Sequence, residues 1–227
     1  MKVTTIQLKN NQGMSCTLTN YGATLMRLQV PNKQGELIDV VVGLPNAEDY
    51  TTASYQKHNF CMGATIGRYA GRISKGGFFI KETFYPLKNT ITLHGGNEGF
   101  DKQLWKVEEV TEGTNPFVLF SLESREGAHG FPGNLKVWAK YQLIEHRLQI
   151  TYTATTDAPT VLNITNHSYF NLEGIGSVNG NTLYINSNQV LETDERLAPT
   201  GRLLDVYDTP FDYLLLHRHT LRDIMWP

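Results

Sequence analysis

From residue 135 onward the chain keeps a two-residue rhythm. Leu135, Val137, Ala139, Tyr141 and Leu143 alternate with Lys136, Trp138, Lys140 and Gln142. Successive side chains of an extended strand point to opposite faces, so this pattern builds one core-facing surface and one half-exposed surface. The rhythm breaks at Glu145 and His146 and resumes at Leu148, Ile150, Tyr152 and Ala154. Residues 135 to 156 therefore read as an antiparallel β-hairpin. Further strand-like runs are TTIQL, MSCTL, TLMRLQV, VVVGL, GFFIK, FVLFSLE and TLYINS, whereas helical periodicity is confined to one possible turn at AEDY after Pro45. With 20 glycines and 9 prolines distributed between these runs, the chain is expected to be all-β, a large antiparallel β-sandwich.

A chain of 227 residues with 40% hydrophobic content can bury a substantial core. No linker, charge block or repeat divides it, so residues 1–227 are read as a single domain. Lys and Arg number 20 against 22 Asp and Glu, and no basic stripe is present, which argues against nucleic acid as a partner. The opening MKVTTIQLKNNQGM lacks the apolar core of a secretory signal, and no apolar run is long enough to span a bilayer. A cytoplasmic protein without a membrane partner is the expectation. Cys16 and Cys61 form no metal-type pair or disulfide framework, and they read as reduced structural thiols.

Three stretches carry candidate chemistry. In VLNITNHSYFNL, residues 161–172, strand alternation would place Asn163, Thr165, His167 and Tyr169 on one face and Leu162, Ile164 and Phe170 on the other. Amide, hydroxyl, imidazole and phenol together suit a carbohydrate, which needs directional hydrogen bonds and an aromatic plane. Imidazole also titrates close to neutrality and suits proton transfer. A buried histidine satisfied by its neighbours fits this stretch as well. In LHGGNEGFDKQLW, residues 93–105, His94 precedes paired glycines that would let backbone approach a ligand, although a plain turn is the simpler reading. GATIGRYAGRISKGGF, residues 63–78, contains Arg68 and Arg72, but GRYAGR lacks the Lys-Ser/Thr ending of a phosphate loop.

Taken in order, NYGATL, GR-x-A-x-RI-x-x-G at 67–76, LHGG-x-x-GFDK-x-x-W at 93–105, GFPG at 130–133, NHSYFNL at 166–172, and APTG followed by TPFD at 198–212 resemble the aldose 1-epimerase (galactose mutarotase) family. The resemblance implies a β-supersandwich that interconverts the α and β anomers of free hexoses such as galactose and glucose, with no metal or cofactor. It implies that His167 is the general acid, that His94 acts beside it at the reacting end, and that Arg72, His94 and His167 bind the sugar. Arg68 reads as structural.

Two departures accompany the match. Gly71 stands where many members carry an Asn that holds sugar hydroxyls. The family's base, a glutamate, and a sugar-binding aspartate belong to a segment later than TPFD, and Asp205, Asp208, Asp212 and Asp223 do not sit in that motif. The expectation is thus a sandwich incomplete at its C-terminus relative to the family, and a non-catalytic hexose-binding module or inactive remnant is the alternative function. His217 and His219 form an H-x-H pair that lacks a clear third ligand and reads as structural.

Overall fold

The structure, a computed structural model, describes residues 1–58 and 60–214. The chain divides into two compact units, Met1–Phe170 and Asn171–Pro227. Its strands in order are β1 (Thr5–Lys9), β2 (Ser15–Thr19), β3 (Thr24–Pro31), β4 (Leu37–Asp39), β5 (Val41–Val42), β6 (Thr65–Ile66), β7 (Arg72–Ile73), β8 (Gly77–Ile80), β9 (Thr83–Pro86), β10 (Thr92–Leu93), β11 (Lys106–Val110), β12 (Phe117–Ser124), β13 (Leu135–Ile144), β14 (Arg147–Thr156), β15 (Thr165–Asn166), β16 (Tyr169–Phe170), β17 (Gln189–Thr193) and β18 (Pro199–Asp205).

The first unit is built on two four-stranded antiparallel sheets, ordered β1-β2-β3-β4 and β11-β12-β13-β14. One apolar cluster joins them: Leu8, Cys16, Leu18, Leu25 and Leu28 from the first, with Val118, Phe120, Val137, Ala139, Tyr141 and Leu143 from the second. Burying a leucine or valine of this kind contributes about 1.5–3 kcal/mol, so this shared cluster is the main apolar stabilisation of the unit. The expected hairpin is present, paired without a break from Leu135 opposite Thr156 to Ile144 opposite Arg147. Every predicted core residue of β13 is buried. Glu145 takes the positive φ of 52° that the tight turn requires, and its carbonyl accepts a 2.7 Å hydrogen bond from Asn10 Nδ2. The second unit contains the β17–β18 hairpin, whose turn is fixed by Asp194 accepting from the Arg196 and Ala198 N–H groups at 2.9 Å each.

Two local expectations differ. Residues 182–187 (TLYINS) form no strand. The Ile185 N–H bonds instead to the Tyr213 carbonyl, and Leu183, Tyr184 and Ile185 are each exposed, so alternation here has no apolar face to bury. Residues 161–170 are not one strand but a bridge at Asn163 followed by β15 and β16, which pair with different partners, β6 and β5. Leu162 and Phe170 are consequently exposed, and Ile164 alone of the three packs on the core. The turn at AEDY exists as a 3-10 helix, Ala47–Thr51, and a short α-helix, Ala53–His58, follows it with no buried residue and therefore no periodic signal.

Among the described residues no helix is long and apolar enough to cross a membrane. Cys16 and Cys61 are buried and unbridged. His217, His219 and Asp223 lie outside the described residues.

Candidate active site

Two small ribbons deliver two histidines to one place. β7 pairs with β10, setting Arg72 opposite Leu93, and His94 follows at once. β15 pairs with β6, and His167 is the next residue. The two imidazoles meet edge to face, with centroids 5.3 Å apart and planes at 79°. The Tyr169 ring lies 5.2 Å from His167, and its hydroxyl is anchored by donating to the Phe60 carbonyl at 3.1 Å. The three predicted site residues, Arg72, His94 and His167, and the neighbouring Tyr169 all fall in the first unit.

His94 is held by a reciprocal bond with Gly71. Its N–H donates to the Gly71 carbonyl at 2.9 Å, and the Gly71 N–H donates to His94 Nδ1 at 3.1 Å. An Nδ1 that accepts leaves the proton of the neutral ring on Nε2, which fixes the tautomer. Burial lowers the His94 pKa to about 4, helped by the neighbouring His167, Arg72 and Lys102 and opposed by Asp101. At neutral pH His94 is thus an uncharged Nε2–H donor. The glycine after it is a steric requirement: a Cβ on Gly95, at φ +81°, would sit 2.1 Å from the Gly67 carbonyl oxygen.

His167 is fixed through its backbone, donating to the Ala64 carbonyl at 2.9 Å and accepting from the Gly63 N–H at 3.0 Å. Arg72 is half-buried, and among the described residues no acceptor engages its guanidinium. A partly desolvated cation in that state is ready for an anionic or polar ligand atom. Arg68 is the opposite case. Its Nε donates to Ser124 Oγ at 3.0 Å, and its terminal nitrogens donate to the carbonyls of Ser124, Arg125, Pro132 and Gly133 at 2.7–3.0 Å. This buried guanidinium is an internal brace, as its sequence context suggested.

Asn163 and Thr165 do not join the cluster as strand alternation predicted. Asn163 Nδ2 donates to the Ala70 carbonyl at 3.0 Å, and Thr165 Oγ1 bonds to the adjacent Asn166 carbonyl at 3.4 Å. Sequence reasoning also missed the Gly71 N–H, which as a backbone donor leaves no mark in composition, and Asp101. The Asp101 carboxylate is buried, accepts from Lys102 Nζ at 2.6 Å and lies 3.5 Å from Cys61 Sγ. Its position inside GFDK was the available signal.

The depressed His94 pKa carries a stability consequence with a definite sign. The ring protonates more readily in the unfolded chain, so its contribution is full above about pH 6.5 and is lost as pH falls towards 4. Allowing for solvent around a half-buried ring, we expect about 1 kcal/mol of stability to disappear over that interval. Thermal melts followed by circular dichroism between pH 7.5 and 4.5 should show this loss reduced in His94→Asn, whose Oδ1 can still accept from Gly71. An identical pH slope in the variant would contradict the assignment.

The first unit thus brings together a neutral imidazole donor, a second imidazole, a half-buried guanidinium and a phenol ring. The sequence matches the aldose 1-epimerase family model over residues 4–225. The chain belongs to the aldose 1-epimerase family, whose reference members are isomerases. It is 39% identical to aldose 1-epimerase of Escherichia coli K12 over 213 residues, and 42% identical to galactose mutarotase of Mus musculus over 211 residues. These alignments cover 92% and 91% of this chain, which spans 59% of the length of either relative. The fold is that of the GalM/aldose epimerase homologue of C. elegans, with a TM-score of 0.85 and 31% identity over 94% of this chain and 65% of that one. Galactose 1-epimerase of Lactobacillus acidophilus gives 0.82 and 28% over 96% and 67%.

Proposed function

We propose that this chain binds a free hexose such as galactose or glucose at the His94–His167 pair and opens its ring as an aldose 1-epimerase does. His167 donates a proton to the ring oxygen as the C1–O5 bond breaks, and that bond's electron pair remains on the oxygen. The C1 hydroxyl loses its proton to a base, and its electron pair forms the aldehyde C=O. Rotation about C1–C2 and reclosure on the other face complete the interconversion, with the proton transfers reversed. His94 Nε2–H and the Arg72 guanidinium stabilise charge developing at the reacting end. The Tyr169 ring offers a plane for the sugar's C–H face.

The observation that carries this reading is the fixed tautomer of His94 beside His167. It gives the two imidazoles different duties, His94 as a standing hydrogen-bond donor and His167 as the proposed proton donor. The base is the part the described residues do not supply. Asp101 is the carboxylate whose charge reaches His94, and it is buried and paired with Lys102. That pairing favours a second reading, a hexose-binding module without turnover.

Polarimetry on freshly dissolved α-D-galactose, with spontaneous mutarotation subtracted, separates the two. Acceleration supports the epimerase. Saturable binding with a flat rate supports the binding module, and absence of both overturns the site. Arg72→Ala is expected to weaken galactose binding about tenfold to a hundredfold, the loss of a charge-assisted hydrogen bond. Titration calorimetry giving the parent affinity would place Arg72 outside the site.

A further inference from the structure

Next to His167 stands a side chain that the proposed chemistry does not use. Asn166 is half-buried, and its amide is engaged at both ends. Its Oδ1 accepts the Ser168 N–H at 3.0 Å, closing a turn over His167. Its Nδ2 donates to the Gly63 carbonyl at 2.9 Å and to the Tyr141 hydroxyl at 3.3 Å. These partners determine which end is oxygen and which is nitrogen.

The Tyr141 hydroxyl belongs to a larger buried set. It donates to the Ala23 carbonyl at 2.7 Å, leaving its oxygen to accept from Asn166 and from Thr65 Oγ1 at 3.1 Å. Thr65 Oγ1 in turn lies 3.3 Å from the Tyr152 hydroxyl. Thr65 Oγ1 also reaches the Ala23 carbonyl at 3.4 Å, so the three hydroxyls form one connected network that ends on that backbone oxygen. Tyr141 is wholly buried in the shared core of the two sheets. A polar network closed inside such a core tolerates little displacement, because any member that moves leaves a buried group unpaired.

The geometry points to Asn166 as a positioning residue for His167, coupling that imidazole to the β13–β14 hairpin through Tyr141. The Gly63 carbonyl that Asn166 holds belongs to the residue whose N–H holds the His167 carbonyl. A single amide therefore fixes both the turn that carries His167 and the loop that docks it. Removing the amide frees the ring to shift by a fraction of an ångström to an ångström while the hydrophobic sandwich remains. This inference rests on the role proposed for His167, and its test is chosen to stand apart from that role.

The test uses the full 227-residue chain as Asn166→Ala, Tyr141→Phe and the double variant, each checked for parent far-ultraviolet dichroism. The first readout is the His167 imidazole resonance pair in a 1H–15N spectrum, assigned with His167→Gln. Both single variants should move it, Asn166→Ala more, and the double variant should add little to Asn166→Ala because the two side chains act in one chain of bonds. The second readout is mutarotation, where Asn166→Ala is expected to lower kcat about tenfold to a hundredfold with a nearly unchanged KM. Asn166→Ser, which retains an oxygen for the Ser168 N–H, should recover part of both. Unmoved His167 resonances in folded Asn166→Ala overturn the inference whether or not the parent turns over. A parent without mutarotation whose His167 resonances do move counts against the epimerase reading and in favour of the coupling.

Discussion

His167→Gln should reduce accelerated mutarotation to the spontaneous rate, a loss of at least about a hundredfold, while the melting temperature stays within a few degrees of the parent. The scale follows from removing the proposed proton donor of a general acid–base step. Glutamine preserves a polar side chain of similar reach, and the backbone bonds of residue 167 to Ala64 and Gly63 do not depend on the ring. The edge-to-face contact with His94 would go, yet His94 keeps its own bond from Gly71. Polarimetry on α-D-galactose beside a thermal melt decides the matter. Turnover at the parent rate would remove His167 from the acid role and leave the histidine pair as a binding feature.

The largest effect on stability is expected from Arg68→Met. Methionine matches the aliphatic stem but abandons Ser124 Oγ and the carbonyls of Ser124, Arg125, Pro132 and Gly133 in a buried setting. Unpaired buried acceptors cost about 1–3 kcal/mol each when water cannot reach them, and partial relaxation brings the net loss to roughly 3–5 kcal/mol. Arg68→Lys should recover less than half of it, since an ammonium is a point charge and cannot donate along a planar fork. Urea unfolding would register the loss as a lower midpoint with an unchanged slope. A shift worth less than about 1 kcal/mol would show that the cluster of carbonyls finds other donors.

What the sequence made legible follows physical periodicity. The β13–β14 hairpin was readable because its apolar face is buried along its whole length, so the two-residue rhythm had to be kept. The NHSYFNL stretch was readable in content but not in shape. Its histidine and tyrosine reach the site, yet strand pairing stops at Asn166, whose side chain bonds to the Ser168 N–H and turns the backbone between two unrelated partners. Alternation assumes that pairing continues, and one local side-chain bond suffices to stop it. The same blindness covers His94. Ordered motifs brought it forward, whereas its tautomer depends on the N–H of Gly71, a residue that stood out only for lacking a side chain common in the family. Thr65 and Tyr141 are each unremarkable in sequence and become informative only when the fold brings their hydroxyls together.

The hairpin of β13 and β14 pairs residues that are neighbours in the chain, and its register can form from a stretch of some twenty residues acting alone. Nothing in the histidine cluster shares that independence. The contacts between His94 and His167, Gly71 and His94, Asn166 and Gly63, and Tyr141 and Thr65 all join distant segments. Closing long loops is entropically costly and is completed only once the surrounding structure compensates for it. In a partly melted chain the register of the hairpin should therefore outlast the arrangement of the histidine cluster. The proposed sugar binding should be lost before β-sheet dichroism along a denaturation curve.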